Sequence, residues 1–349
     1  MRDNIEKLLY SAYKEYASDV HLTAGLPPIL RVHGQLKRLD LAPYSNQELK
    51  DIALHLMPNH LEDTLRTDGE IDFSYELKDI SRFRVNVYKQ NDGLSIAIRL
   101  IPTQVPVIEE LRLPTVLTKI ASKPQGLVLV TGPTGSGKST TLASMIDYIN
   151  TSFNKHIITL EDPIEYIHQH KKSVIEQREV GRDTKKFSTG LRAALRQDPD
   201  VILVGEMRDL ETISTAVTAA ETGHLVFGTL HTNSAPATIE RIVDVFPAEQ
   251  QAQIRFQLAS VLIGVISQRL FPLKTGTGRI AATEILVQTH AVSNLIRNQK
   301  IHQLPNLMQT SRDVGMHTLE MNLKSLLQRQ IVSYESVQGY LEDNAYGSI

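Results

Sequence analysis

The run Gly132-Pro133-Thr134-Gly135-Ser136-Gly137-Lys138-Ser139 constrains this chain more than any other feature. It fits the spacing G-x-x-x-x-G-K-[ST], with an apolar stretch, Leu127 to Val130, before it and helix-compatible residues after it. Such a loop works only between a strand and a helix. Its glycines let backbone N–H groups wrap a β-phosphate, and the helix N-terminus adds partial positive charge. Thr134, Gly135, Ser136, Gly137, Lys138, Ser139 and Thr140 are therefore read as the cradle of a nucleoside triphosphate. Lys138 is expected to neutralise the β/γ oxygens and Ser139 to ligate Mg²⁺.

A strand-loop-helix start predicts an α/β fold, and the following residues agree. Short apolar runs at Ile157 to Leu160, Val201 to Val204 and Leu225 to Phe227 alternate with helical segments, which predicts a largely parallel sheet covered by helices. We assign residues 115–288 to this domain and 289–349 to a helical C-terminal region. Residues 1–101 read as a smaller α+β module: an opening amphipathic helix, a hairpin from Ile29 to Leu39 turning at Gly34, a helix from about Ser45 to Leu56, and three alternating strands. Residues 102–114, with three prolines, read as a linker.

Ligands of open α/β sheets sit outside the carboxyl ends of the strands. The run ending at Leu160 is followed by Glu161-Asp162-Pro163-Ile164-Glu165, which offers carboxylates where a water attacking a γ-phosphate needs orienting. The run ending at Val204 is followed by Glu206, expected to hold Mg²⁺ through water; the plainer alternative is an acid at an ordinary helix N-terminus. Leu225 to Phe227 lie between His224 and His231, up to ~23 Å apart on an extended strand at ~3.3 Å per residue. His231, on the carboxyl side, is the better sensor of a γ-phosphate, and His224 suits a contact between elements or subunits. Either histidine also fits a structural role.

Two pools of arginine remain. Asp92-Gly93 as a tight turn pairs Asn91 with Leu94, sets Asn86 opposite Arg99, and puts Arg82, Arg84 and Arg99 on one face. That face is either solvated or offered to a neighbouring subunit. Arg192 and Arg196, one turn apart, form the second pool with Arg241, and bind phosphate or line a solvated face.

Composition removes other classes. The 37 basic and 39 acidic residues nearly cancel, so nucleic acid is not expected as a partner. Without cysteine there is no disulfide, thiolate nucleophile or Cys-based zinc site. The most apolar stretch, Ala259 to Ser267, falls well short of the ~20 residues of a spanning helix, so a cytoplasmic location is expected, with membrane contact only through partners.

The phosphate loop, the acidic box Glu161 to Tyr166, the segment Val204-Gly205-Glu206-Met207-Arg208-Asp209 and the histidine box Glu221 to Thr232 together resemble the secretion-superfamily ATPases, specifically the PilT family. Ala17-Ser18-Asp19-Val20-His21-Leu22, Gly25-Leu26-Pro27-Pro28 and Val243-Asp244-Val245-Phe246-Pro247 extend the resemblance over nearly the whole chain. It implies a RecA-like core with a PAS-like N-terminal domain, and a homohexamer that hydrolyses ATP with Mg²⁺. The implied work is retraction of type IV pili at an inner-membrane platform protein, from the cytoplasmic face. It implies Glu165 as catalytic glutamate, Glu206 as the metal-site acid, and Arg82, Arg84 and Arg99 as completing the nucleotide site. One departure is visible: the family's Ala-Ile-Arg-Asn-Leu-Ile-Arg segment reads Ala291-Val292-Ser293-Asn294-Leu295-Ile296-Arg297 here. An accessory retraction paralogue, an assembly or secretion ATPase, and a slowly hydrolysing nucleotide switch are the alternative readings.

Overall fold

The structure, a computed structural model, describes residues 2–341 apart from 33, 59, 60, 79, 92, 103 and 277. The chain divides into two compact units, Met1–Gln104 and Val105–Ile349.

In the first unit α1 (Arg2–Lys14) buries Ile5, Leu8, Leu9 and Ala12, the i, i+3, i+4, i+7 stripe of an amphipathic helix. Strands β1 (Ala17–Thr23), β2 (Ile29–Val32) and β3 (Gln35–Arg38) precede α2 (Asn46–Leu56) and α3 (Glu62–Asp68). Ser45 and Glu48 close a reciprocal capping box that fixes where α2 begins. Then come β4 (Glu70–Leu77), β5 (Ser81–Gln90) and β6 (Gly93–Ile101). Among the described residues these six strands form one sheet in the order β3-β2-β1-β6-β5-β4.

The β5–β6 register differs from the sequence expectation by two residues: Gln90 pairs with Gly93, Lys89 with Leu94, and Arg84 with Arg99. Asn91 takes the left-handed conformation (φ 48°), so the loop starts one residue earlier than expected, at a side chain that tolerates it. Asp92, assigned to the turn, lies outside the described residues. A shift of two preserves the side-chain alternation, so Arg82, Arg84 and Arg99 still share a face.

In the second unit α4 (Val116–Ala121) leads into β7 (Gly126–Thr131), α5 (Lys138–Ser152), β8 (His156–Glu161), β9 (Val174–Glu179), α6 (Phe187–Ala194), β10 (Val201–Val204), α7 (Leu210–Glu221) and β11 (Leu225–Leu230). Helices α8 (Ala235–Asp244) and α9 (Ala248–Val261) follow, then β12 (Leu262–Pro272) and β13 (Arg279–Val287). The tail carries α10 (His290–Arg297), α11 (Leu304–Thr310), α12 (Leu319–Gln328) and the short α13 (Tyr334–Val337); its last residues, 342–349, expected to be helical, lie outside the described set. The sheet order is β13-β12-β7-β11-β10-β8-β9, parallel except for β12–β13.

Burial on both faces explains the continuous apolar runs. Leu127 and Leu129 of β7 pack with α7, α8 and α9, whereas Val128 and Val130 pack with α4 and α5. The apolar stretch Ala259 to Ser267 splits between the end of α9 and the start of β12. Part of the proline-bearing connection belongs to this core too, for Ile108 and Leu113 are buried against α4 and its neighbours.

Candidate functional site

The six residues of β7 are wholly buried and deliver the chain to Gly132 at the carboxyl edge of the sheet. Gly132 has φ 141°, and a Cβ there would lie 2.3 Å from the Gln268 carbonyl oxygen and 2.7 Å from Ser136 Oγ. Only glycine fits. Gly135 and Gly137, at φ 77° and 88°, complete the arch before α5 begins at Lys138.

Lys138 Nζ donates to the carbonyls of Gly132 at 2.8 Å and Pro133 at 3.1 Å, folding back over its own loop. Burial lowers the Lys138 ammonium from its ordinary value, and the nearby Glu206 carboxylate pulls it back up. Thr140 Oγ1 shares a hydrogen bond of 3.0 Å with Tyr166 Oη, tying the first turn of α5 to the acidic box.

Ser139, Glu161, Glu165 and Glu206 line one cleft, together with His168 and Thr229. Strands β8 and β10 bring the acids there and β11 brings Thr229, and backbone bonds lock the strand tips: Gly205 N–H donates to Leu160 O at 2.7 Å and Met207 N–H to Thr229 O at 3.0 Å. Glu161 accepts from Thr159 Oγ1 at 2.7 Å and from Gln177 Nε2 at 3.1 Å. Burial pushes its carboxyl up all the same, since two neutral donors do not replace water around a charge. The Gln177 side chain also donates to Tyr166 O and accepts from the His168 N–H, so one amide fixes the loop that carries Glu165.

Glu206 meets His231, whose Nε2 lies 3.1 Å from Oε1, and the same oxygen accepts from Arg208 Nε. His224 stands at the other end of β11, with Nδ1 2.9 Å from Ala219 O. The two histidines are thus separated by the strand. Beyond His231, Thr232 Oγ1 and Thr238 Oγ1 are 2.7 Å apart, and Thr238 Oγ1 reaches Ser234 O at 2.7 Å and Thr131 Oγ1 at 3.5 Å.

Arg192, in the last turn of α6, pairs with Glu211 on α7. Arg196 lies past the end of α6, in a turn where its N–H donates to Ala193 O, and both Arg196 and Arg241 are exposed. In the first unit Arg82 donates to Ser74 Oγ at 3.0 Å, Arg84 pairs with Asp72 at 3.4 Å and Arg99 with Asp19 at 2.9 Å. Two residues around the loop escaped the sequence reading. Gln177 sits on β9 and Gln268 on β12, both strands that apolar runs alone do not mark.

A phosphate-loop strand and helix inside a helix-covered, mainly parallel sheet, with acids at the adjoining strand tips, define a nucleotide-hydrolysing ATPase. The sequence model of the family described as "Type II/IV secretion system protein" matches residues 1–276. The chain is similar to "Type IV pilus retractation ATPase PilT" of Pseudomonas aeruginosa, 51% identical over 335 residues, 96% of this chain and 97% of that protein. "Type IV pilus ATPase PilU" of the same organism is 40% identical over 97% of this chain and 88% of its own length. Among solved structures, "Crystal Structure of the Pilus Retraction Motor PilT and Bound ADP" matches with a TM-score of 0.91 at 48% identity, covering 97% of both chains. The chain belongs to the type II/IV secretion system protein family, within its PilT-type ATPases.

Proposed function

We propose that this protein is a homohexameric motor that hydrolyses ATP to retract type IV pili, acting at the cytoplasmic face of the inner membrane on pilus machinery. In this reading residues 1–101 form a PAS-like domain, 102–114 a linker, 115–288 a RecA-like core and 289–349 a helical C-terminal region. The observation that carries it is the cleft where Ser139, Glu161, Glu165 and Glu206 converge beside Lys138, in a chain alike over its full length to a retraction ATPase.

Each side chain then has a task. The phosphate-loop amides from Thr134 to Thr140 hold the triphosphate, and Lys138 offsets charge on its β/γ oxygens. The Ser139 hydroxyl and Glu206 carboxylate form an all-oxygen pair that suits Mg²⁺, which when bound neutralises charge developing on the phosphates. Glu165 orients the attacking water, and the more enclosed Glu161 positions that loop. His231 reads the terminal phosphate through Glu206. Arg82, Arg84 and Arg99 complete the site, and His224, Arg192, Arg196 and Arg241 serve contacts between elements or subunits.

A second reading, an accessory retraction ATPase, rests on Ser293. Its side chain is buried on α10 and donates to Ala259 O of α9 at 2.7 Å. The position thus faces a neighbouring helix.

Gene deletion with pilus counts and a twitching assay tests the motor. Excess pili without motility, restored by the wild-type gene and not by Lys138→Ala, is the expected result. Normal motility with normal pilus numbers, or absence of pili, would remove the retraction reading.

A further inference from the structure

Gln268 lies on β12, 127 residues beyond Thr141 in sequence, and is 1% exposed. Both ends of its amide are held beside the phosphate loop: Thr141 Oγ1 on α5 donates to Oε1 at 2.9 Å, and Nε2 donates to Ser136 O at 2.7 Å. Its backbone carbonyl also backs Gly132 closely enough to exclude any side chain there. β12 is thus a wall for the loop at three points.

The bond to Ser136 O has a directional consequence. A peptide group is planar and trans, so its C=O and N–H point in opposite directions. Holding Ser136 O outward therefore turns the Gly137 N–H inward, toward the concave side of the arch. The local covalent structure secures that direction weakly, because turning the peptide changes ψ of Ser136 and φ of Gly137, and glycine rotates at little cost. Released, the Ser136–Gly137 peptide is able to turn and present a carbonyl to a phosphate.

We propose that Gln268 is a positioning residue for nucleotide binding, which fixes the Ser136–Gly137 peptide with its N–H toward the phosphates and is itself oriented by Thr141. It touches no reacting atom and acts through the loop. Loss of its side chain weakens ground state and transition state alike, so KM rises while kcat is held. The inference rests on Gly132 to Thr140 being the phosphate cradle.

The test compares wild type, Gln268→Leu, Gln268→Glu and Thr141→Val, each as the full chain, by ADP titration calorimetry, steady-state ATPase and melting without nucleotide. Gln268→Leu is expected to weaken ADP binding and raise KM about tenfold, with kcat within about threefold of wild type. Gln268→Glu keeps the acceptor for Thr141 but, once ionised, cannot donate to Ser136 O, so it should fail to rescue at a pH high enough to ionise it. Thr141→Val should give a smaller loss, not additive with Gln268→Leu. If Gln268→Leu does not fold, Gln268→Glu carries the same comparison. ADP affinity within twofold of wild type in the folded Gln268 variant overturns the proposal, as does a kcat loss with KM unchanged. A wild-type protein that takes up no ADP would instead overturn the cradle itself.

Discussion

At the scale of single residues, burial acts in opposite directions on a carboxylate and an ammonium of the site. Glu161 is enclosed and carries a raised carboxyl, because burial outweighs the donors from Thr159 and Gln177. A raised folded-state value means that ionisation opposes folding: the favourable contribution is fully present below the unfolded-state value and is lost as pH rises through the folded one. Glu161→Gln should therefore melt higher than wild type at neutral pH, with the difference closing as pH falls below the ordinary carboxylate range; a constant difference across pH would contradict this. Lys138 has the opposite sensitivity, being a half-buried cation held by two carbonyls of its own loop, which the proposed function has it exchange for phosphate oxygens. Lys138→Ala should weaken ATP uptake about a hundredfold, the ~3 kcal/mol of a charge-assisted bond in a shielded place, measured by calorimetry. Both residues were legible in the sequence, Lys138 from motif spacing and Glu161 from its place after an apolar run. Gln177 and Gln268 were not, since a single amide carries no periodicity and its value comes from partners distant along the chain.

At the scale of elements, Glu284 on β13 shows how the sheet organises its helices. Its Oε1 accepts from the Ala235 N–H at 2.7 Å, and its carboxylate also accepts from the Leu319 N–H. One acid therefore serves the first residues of α8 and α12, where exposed amide dipoles favour negative charge. Burial raises this carboxyl and the two amide donors counter the rise. Glu284→Ala should destabilise the protein by about 2 kcal/mol, two caps at ~1 each, read as a fall in melting temperature at fixed protein concentration. A change inside experimental error would show that water replaces it. The parallel strands β7, β8, β10 and β11 announced themselves by apolar runs bounded by polar tips. β12 and β13 did not, because a short apolar stretch has no period that separates strand from helix, and Ala259 to Ser267 contributes to both. The arginine-bearing hairpin had its loop displaced by a residue, yet parity kept its face intact.

At the scale of the molecule, the arginines of the first unit are held by surface pairs. Arg84 and Arg99 retain 39% and 62% side-chain exposure beside Asp72 and Asp19. An exposed pair such as Arg84–Asp72 contributes about 0–1 kcal/mol, so its strength does not block exchange of the carboxylate for a phosphate, whereas Asp19, at 13% exposure, makes the Arg99 pair the more sheltered one. Arg99→Ala should lower ATP turnover while leaving ADP affinity within about twofold, because a cation that meets developing charge acts on the transition state. Unchanged turnover in Arg84→Ala and Arg99→Ala alike would return that face to solvent. With a net charge of −2, the chain has no global attraction for polyanions, and DNA or RNA should leave its ATPase rate unchanged.

The threonine hydroxyls beyond His231 have a dynamic consequence. Thr238 owns one rotatable hydrogen, and three oxygens stand around it, on Ser234, Thr131 and Thr232. With three acceptors in reach of one proton, this hydroxyl can trade one partner for another where the end of β7 meets the residues after His231. That contact is therefore fixed in position while the sense of its hydrogen bonds stays free.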